Sequence, residues 1–294
     1  MDNPFGPCDE ARQTPDPDAR FTISGDPENP PVSGVICDSL TPPGAPWSCC
    51  VRGFLRSALA DFEAETGLGV VAAFEHEFTV AGDGAAPETP FSFAAARHRH
   101  ALLLEIERLV TGAGVPVETV EPEFGLDQFE VSCAPAPALS AADGALIARE
   151  AIREAARRRG LRASMTPKPA LDAVGNGAHV HLSFADRDGA NAAHDPNGPL
   201  GLSATMARFC AGILAHVDAL CAVTAPSPVS YHGLGPHHWR CGFRAIGVQN
   251  RGATLRVTPG LGGERPALLQ RRIPPDGRDG LALSDARRAD PRGA

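Results

Sequence analysis

The sequence predicts an α+β fold: a curved, largely antiparallel sheet carrying its polar faces inward, with helices packed outside. Two observations lead there. Four stretches repeat apolar residues at helical spacing, and four others alternate apolar and polar residues with the period-two rhythm of a pleated strand. At 294 residues the chain is long enough to bury a substantial core.

The elements follow in chain order. Residues 1–50 are dense in Pro, Gly and Asp, as in Pro15-Asp16-Pro17-Asp18 and Pro42-Pro43-Gly44. They read as a loop-rich entry segment with short edge strands, Val32–Cys37 being the one strand expected. Over 51–66, Phe54, Leu55, Ala58, Leu59 and Phe62 recur at helical spacing, and Gly67 supplies a stop. A second helix is expected over 93–111, where Leu102, Leu103, Ile106 and Leu109 form a stripe. A third opens at Ser140 with Asp143 three residues on, resembling a capping box, and ends in Arg157–Arg159 before Gly160. A fourth spans 203–221 with Met206, Phe209, Ile213, Leu214 and Leu220. The alternating segments are Val70–Val80, Gln128–Cys133, Ala178–Phe184 and Ala253–Thr258. Each sets an apolar face against one bearing acids, imidazoles or a guanidinium.

Composition narrows the function classes. A net charge of −8 argues against nucleic acid as the main partner. No apolar run matches the roughly 18–20 residues of a membrane span, and Met1-Asp2-Asn3-Pro4 is not the start of an export signal, so a cytoplasmic chain without a membrane partner is expected. Its eight cysteines lack paired zinc-type spacing and read as reduced thiols.

The polar faces carry the chemistry. Glu75, Glu77, Glu123, Glu130 and His179 form an oxygen-rich set with one imidazole, which suits Mg²⁺ or Mn²⁺ better than Zn²⁺. Such ions, held by few protein ligands, commonly also hold substrate phosphates, so the set reads as a metal–nucleotide site. Lys168 stands between Pro167 and Pro169. The loop Gly175-Asn176-Gly177 then leads into His179, His181 and Ser183 on one face, a pattern able to hold anionic groups beside a metal ligand. A zinc hydrolase built on His179 and His181 is the weaker alternative, because carboxylates surround the pair. His98 and His100, beside Arg97 and Arg99, read as a solvated helix face.

These motifs resemble the catalytic domain of glutamine synthetase and its relatives, the ATP-dependent γ-glutamyl–amine ligases, over about residues 15–260. The anchors are Phe74-Glu75-His76-Glu77-Phe78, Glu123 with Asp127-Gln128-Phe129-Glu130, the Pro167–Ser183 block, and Ser230-Tyr231 through Pro236-His237-His238-Trp239 to Asn250-Arg251 and Arg256. The resemblance implies a glutamine synthetase-like catalytic domain at 51–260. Glu77, Glu123 and Glu130 would hold one metal, and Glu75 and His179 the metal that bridges ATP phosphates. His181 and Ser183 would lie toward the nucleotide, with Lys168, Asn176 and Gly177 on the same side. Arg251 and Arg256 would face the transferred phosphoryl group and the substrate carboxylates. ATP, glutamate or a related acid, and ammonia or an amine are the implied substrates, and a homo-oligomer is the implied assembly.

The sequence also departs from that family. A small N-terminal β-grasp domain is not expected at its start. Gly233 stands where the resemblance implies an arginine that grips the substrate. After Gly260 the implied metal-binding Glu and its companion Arg do not follow. An Arg-, Asp- and Gly-rich stretch over 261–294 reads as a disordered tail, with no aromatic residue beyond Phe243. Codons chosen from Leu268 onward and read one nucleotide later admit Phe-Phe-Asn-Val-Glu-Tyr-Arg, so a frameshift near 260–264 is one account of the tail. Weak Mg·ATP binding and poor turnover are the expected consequence, a silent homologue that binds nucleotide or partners being the alternative.

Overall fold

The computed structural model describes residues 10–232, 243–258 and 268–273. In chain order the strands and helices are β1 (Arg12–Ile23), β2 (Val32–Leu40), α1 (Val51–Thr66), β3 (Gly69–Ala81), α2 (Phe93–His98), α3 (His100–Gly112), β4 (Val117–Pro122), β5 (Gln128–Cys133), β6 (Ala136–Pro137), α4 (Ala138–Arg158), β7 (Arg162–Ser164), β8 (Ala178–Ala185), α5 (Ala204–Thr224), α6 (Pro228–Tyr231), β9 (Phe243–Val248), β10 (Ala253–Thr258) and β11 (Leu268–Ile273).

Local chemistry sets most boundaries. Helix α1 starts where the Cys50 thiol accepts the Gly53 N–H, and it stops at Gly67, whose φ of 71° is the left-handed value that favours glycine. Ser203 caps α5 by accepting the Met206 N–H. The capping box expected at Ser140 is not formed: α4 begins two residues earlier, with Pro137 at its N-cap, and Asp143 turns instead to Arg52. The single helix expected over 93–111 is broken at Arg99 into α2 and α3. The Pro-rich entry segment, expected to be mostly loop, pairs β1 with β2 in an antiparallel ribbon whose register shifts between Pro15 and Arg20. Both strands of a two-stranded ribbon are edges, where proline is tolerated.

The main sheet has nine strands, ordered β4-β5-β3-β8-β11-β10-β9, with β6 and β7 also pairing β3. All pairs are antiparallel except β9 with β10. The face toward the helices is apolar apart from the buried His76 among the residues described below. Phe78, Phe129 and Val131 pack under α3 and the C-terminal half of α4. Phe74 and Val180 pack under α1 and the start of α4. Phe184, Leu255 and Val257 pack under α5. Each such side chain, wholly removed from water, contributes roughly 1.5–3 kcal/mol. Helix α5 is long and apolar enough to cross a membrane, yet its Met206, Phe209, Ile213 and Leu220 are spent on this core. Strand β11 lies in the stretch expected to be disordered. It is placed between β8 and β10, with Leu269 opposite Leu182 and Ile273 opposite Ala178. Its two leucines and isoleucine suit a strand, and its backbone satisfies the ladder that β8 presents.

Candidate metal centre

Period-two geometry places the carboxylates. Glu75, Glu77 and Thr79 share the face of β3 away from the helices, and register does the rest: Glu77 is directly opposite Glu130 on β5, and Glu75 is opposite His179 on β8. Glu123 enters from the turn between β4 and β5, its N–H donating to the Gln128 carbonyl at 2.8 Å. Donor atoms of Glu75, Glu130 and His179 all lie within 4.8 Å of one another, as do those of Glu77, Glu123 and Glu130. Glu130 belongs to both groups.

The charge is unevenly settled. Glu75 meets His179 Nδ1 and His181 Nε2, each at 2.7 Å. Burial opposes its ionisation, but these two imidazoles hold its carboxyl well below the ordinary range. Glu130, 6 % exposed, is pushed well above that range by burial first and then by Glu75, Glu77 and Glu123. A partly buried set of four carboxylates with an imidazole fits hard divalent cations, whose charge removes the mutual repulsion. His76, on the opposite face of β3, is buried and stacked on Phe74. Burial lowers its pKa to about 3, which keeps it neutral and outside the site's chemistry.

Three residues position the acids. Gln128 donates through Nε2 to Glu77 Oε2 (3.2 Å), the Gly175 carbonyl (3.0 Å) and Asn176 Oδ1 (2.9 Å). The Gly177 N–H donates to Glu77 Oε2 at 2.7 Å, and a Cβ there would stand 2.7 Å from Glu77 Oε1 and displace that carboxylate. Asn176 was expected to meet nucleotide. It is wholly buried instead, its amide donating to the Ser164 and Thr166 carbonyls while Oδ1 accepts from Thr79 and Gln128. With those contacts made, Asn176 is a clasp for the loop that carries Gly177. The glycine, also expected to meet nucleotide, instead meets Glu77 of the acidic cluster.

The other expected residues divide. His181 and Ser183 are buried along β8 in line with His179. Arg256 falls on the acidic face of β10 in the same cross-strand row as His181, through Gln270 of β11, about 10 Å away by strand spacing. Arg251 is exposed in the turn before β10, and Lys168 is half-exposed in the loop between β7 and β8. Gly233 and Pro236–Trp239 lie outside the described residues. His98 and His100 are exposed as expected, whereas Arg99 is not solvated: it is buried against Asp127, at 2.6 Å, and Asp83. That pairing holds Asp127 at a φ of 50° immediately before Gln128 and Glu130. The cysteines among the described residues are free, and burial pushes the Cys133 and Cys210 thiols up to about 12, so neither is a nucleophile.

The chain is similar to known proteins in sequence and in fold. A family profile described as glutamine synthetase, catalytic domain, matches residues 48–273. A γ-glutamylpolyamine synthetase of Streptomyces coelicolor is 36 % identical over 247 residues, covering 81 % of this chain and 53 % of its own length. A glutamate–isopropylamine ligase of a Pseudomonas species is 27 % identical over 268 residues, covering 86 % of this chain and 58 % of its own. The crystal structure of a glutamine synthase homologue superposes with a TM-score of 0.90 at 36 % identity, covering 98 % of this chain and 69 % of that one. The chain thus spans about half the length of the curated relatives it matches. By motif, register and profile together, the chain belongs to the glutamine synthetase family, whose catalytic domain it carries over residues 48–273.

Proposed function

We propose that the chain joins a glutamate-like γ-carboxylate to ammonia or an amine at the expense of ATP. The observation that carries this reading is the pair of overlapping ligand groups that share Glu130, an arrangement suited to two adjacent Mg²⁺ or Mn²⁺ ions. In the reaction a γ-carboxylate oxygen attacks the terminal phosphorus of ATP, giving an acyl phosphate and ADP. The amine nitrogen then attacks the acyl carbon, phosphate leaves with the electron pair of the C–O bond, and the nitrogen gives up a proton. Bound divalent ions supply charge neutralisation for the phosphates. Glu77, Glu123 and Glu130 would hold one ion, and Glu75, Glu130 and His179 the other. His181, Ser183 and Lys168 would face the nucleotide, with Arg256 and Arg251 toward the phosphoryl group and the substrate carboxylates.

Two relatives named for polyamine and isopropylamine substrates support an organic amine as acceptor, and ammonia remains the simplest alternative. The test is ADP formation by the purified chain with Mg²⁺ and ATP across a panel of acids and amines. Release that requires both an acid and an amine, and that disappears in Glu130→Gln, is the expected result at a low rate. Nucleotide binding without any such release overturns the reading in favour of a silent homologue. The frameshift account of residues 261–294 is tested by the gene: the +1 frame there must encode a Glu-x-Arg segment followed by Ser-Pro-Tyr-Leu.

A further inference from the structure

Where β7 pairs β3, and no other described strand, a groove of about 670 Å³ is lined by Arg149 and Arg153 of α4, Arg162 and Ser164 of β7, Thr166 and Thr79. That volume falls in the range of roughly 300–1,000 Å³ usual for small-molecule clefts. Arg149 and Arg153 reach it from α4, on the face of the sheet opposite Glu75 and Glu77. Register puts Arg162 opposite Ala81 and Ser164 opposite Thr79, so the groove wraps around the end of the sheet. None of the metal-centre acids lines it. The buried Asn176, bonded to Thr79 and to the Ser164 and Thr166 carbonyls, forms part of the wall between the groove and Gly177.

Three guanidinium groups gather there in a chain whose net charge is −8. Arg162 makes no ion pair among the described residues, and Arg153 meets Glu150 in an exposed pair. A pair of that kind contributes little, so Arg153 turns to an incoming anion at small cost. Ser164 Oγ accepts the Thr166 N–H at 3.4 Å, which leaves its O–H as a donor. We propose that this groove is a second anion site, distinct from the metal centre, that binds the phosphate group of a small ligand with Arg153 and Arg162 as its charge partners. A phosphate monoester carries between one and two negative charges near neutral pH and offers three acceptor oxygens. Two guanidinium forks and two hydroxyls match that charge and that number of acceptors, whereas a single carboxylate engages only part of them. The space exceeds what one phosphate ion fills, and it leaves room for the organic part of an ester.

The test titrates glycerol 3-phosphate, inorganic phosphate and acetate into the full chain by calorimetry in the presence of EDTA, so that no divalent ion draws phosphate to the metal centre. Both phosphates are expected to bind more tightly than acetate. The double variant Arg153→Gln/Arg162→Gln is expected to weaken them about tenfold or more, while Arg162→Lys in an otherwise intact chain keeps most of the affinity. Both arginines are exposed, so the fold is retained. Glu130→Gln and Arg256→Gln are expected to leave phosphate binding unchanged, which separates this site from the proposed ligase centre. Glycerol 3-phosphate binding more tightly than inorganic phosphate identifies an ester as the occupant, and the reverse order identifies the free ion. Equal phosphate affinity in wild type and the double variant, acetate binding as tightly as phosphate, or a loss confined to Arg256→Gln overturns the proposal.

Discussion

Around Arg52, the carboxylates of Asp16, Asp38 and Asp143 close in at 2.7, 3.0 and 2.8 Å, and Arg56 adds a second guanidinium to Asp16 and Asp38. Around Glu130, the carboxylates of Glu75, Glu77 and Glu123 gather with the imidazole of His179. The first cluster brings its counter-charge with it: the Arg52 hydrogen bond is the main cause holding Asp16 down at about 2. The second leaves Glu130 pushed the other way by burial and by its own neighbours. Two gatherings of acids within one fold therefore serve different ends. The Arg52 cluster pins the β1–β2 ribbon to α1 and α4, whereas the Glu130 cluster, on the proposed reading, is balanced by cations.

The largest effect that tests this contrast is on stability. Arg52→Met leaves three partly buried carboxylates facing one another and is expected to cost about 3–5 kcal/mol in urea unfolding. A loss under about 1 kcal/mol would reduce the Arg52 cluster to a surface network. Glu130→Gln is expected to do the opposite to the metal-free chain, raising its thermal midpoint near neutral pH because folding no longer has to keep a buried acid protonated. In the same variant Mn²⁺ affinity is expected to fall on the order of 100-fold. If the midpoint drops as it does for Arg52→Met, the two clusters are of one kind and the metal-centre reading weakens. Gly177→Ala comes next. Its new Cβ crowds Glu77, and about a tenfold loss of Mn²⁺ affinity with an unchanged unfolding midpoint is expected.

The two clusters were not equally legible. The Glu130 cluster follows from alternation, because Glu75, Glu77, Glu130 and His179 each sit opposite an apolar residue in a strand that must bury its other face. Register, which no single strand reveals, then brought Glu75 against His179 and Glu77 against Glu130. The Arg52 cluster left a fainter trace. Arg52 falls three residues before Leu55 on the buried stripe of α1, and Arg99 falls three and four before Leu102 and Leu103 of α3. A cation on an apolar stripe signals an inward ion pair, but its partners are distant: Asp143 is 91 residues from Arg52 and Asp127 is 28 from Arg99. The same distance effect hid the true role of Asp143 behind a local capping pattern. The clasping contacts of Asn176 were not legible, because a Gly-Asn-Gly loop advertises backbone flexibility and says nothing of its four hydrogen-bond partners. Strand β1 was hidden by its prolines, which an isolated ribbon tolerates and a central strand does not.

The smallest effect is also the most selective for how the acids are balanced. In Asp16 the folded-state pKa, about 2, lies below the ordinary value of 3.8, so folding favours the ionised form. Its contribution is complete above about pH 4 and is lost as the pH falls toward 2. The stability gap between wild type and Asp16→Asn, measured by urea unfolding, is therefore expected to be constant from pH 7 to 5, to shrink below 4 and to close near 2. A gap that persists at pH 2 would mean that Asp16 holds the ribbon through shape rather than charge. Glu130 is shifted in the opposite sense, so in the metal-free chain its contribution is present at low pH and lost as pH rises. Comparing Glu130→Gln with wild type over the same range should accordingly give a difference that grows toward neutral pH. Slopes of opposite sign would separate an acid that folding neutralises from one that folding leaves for a cation.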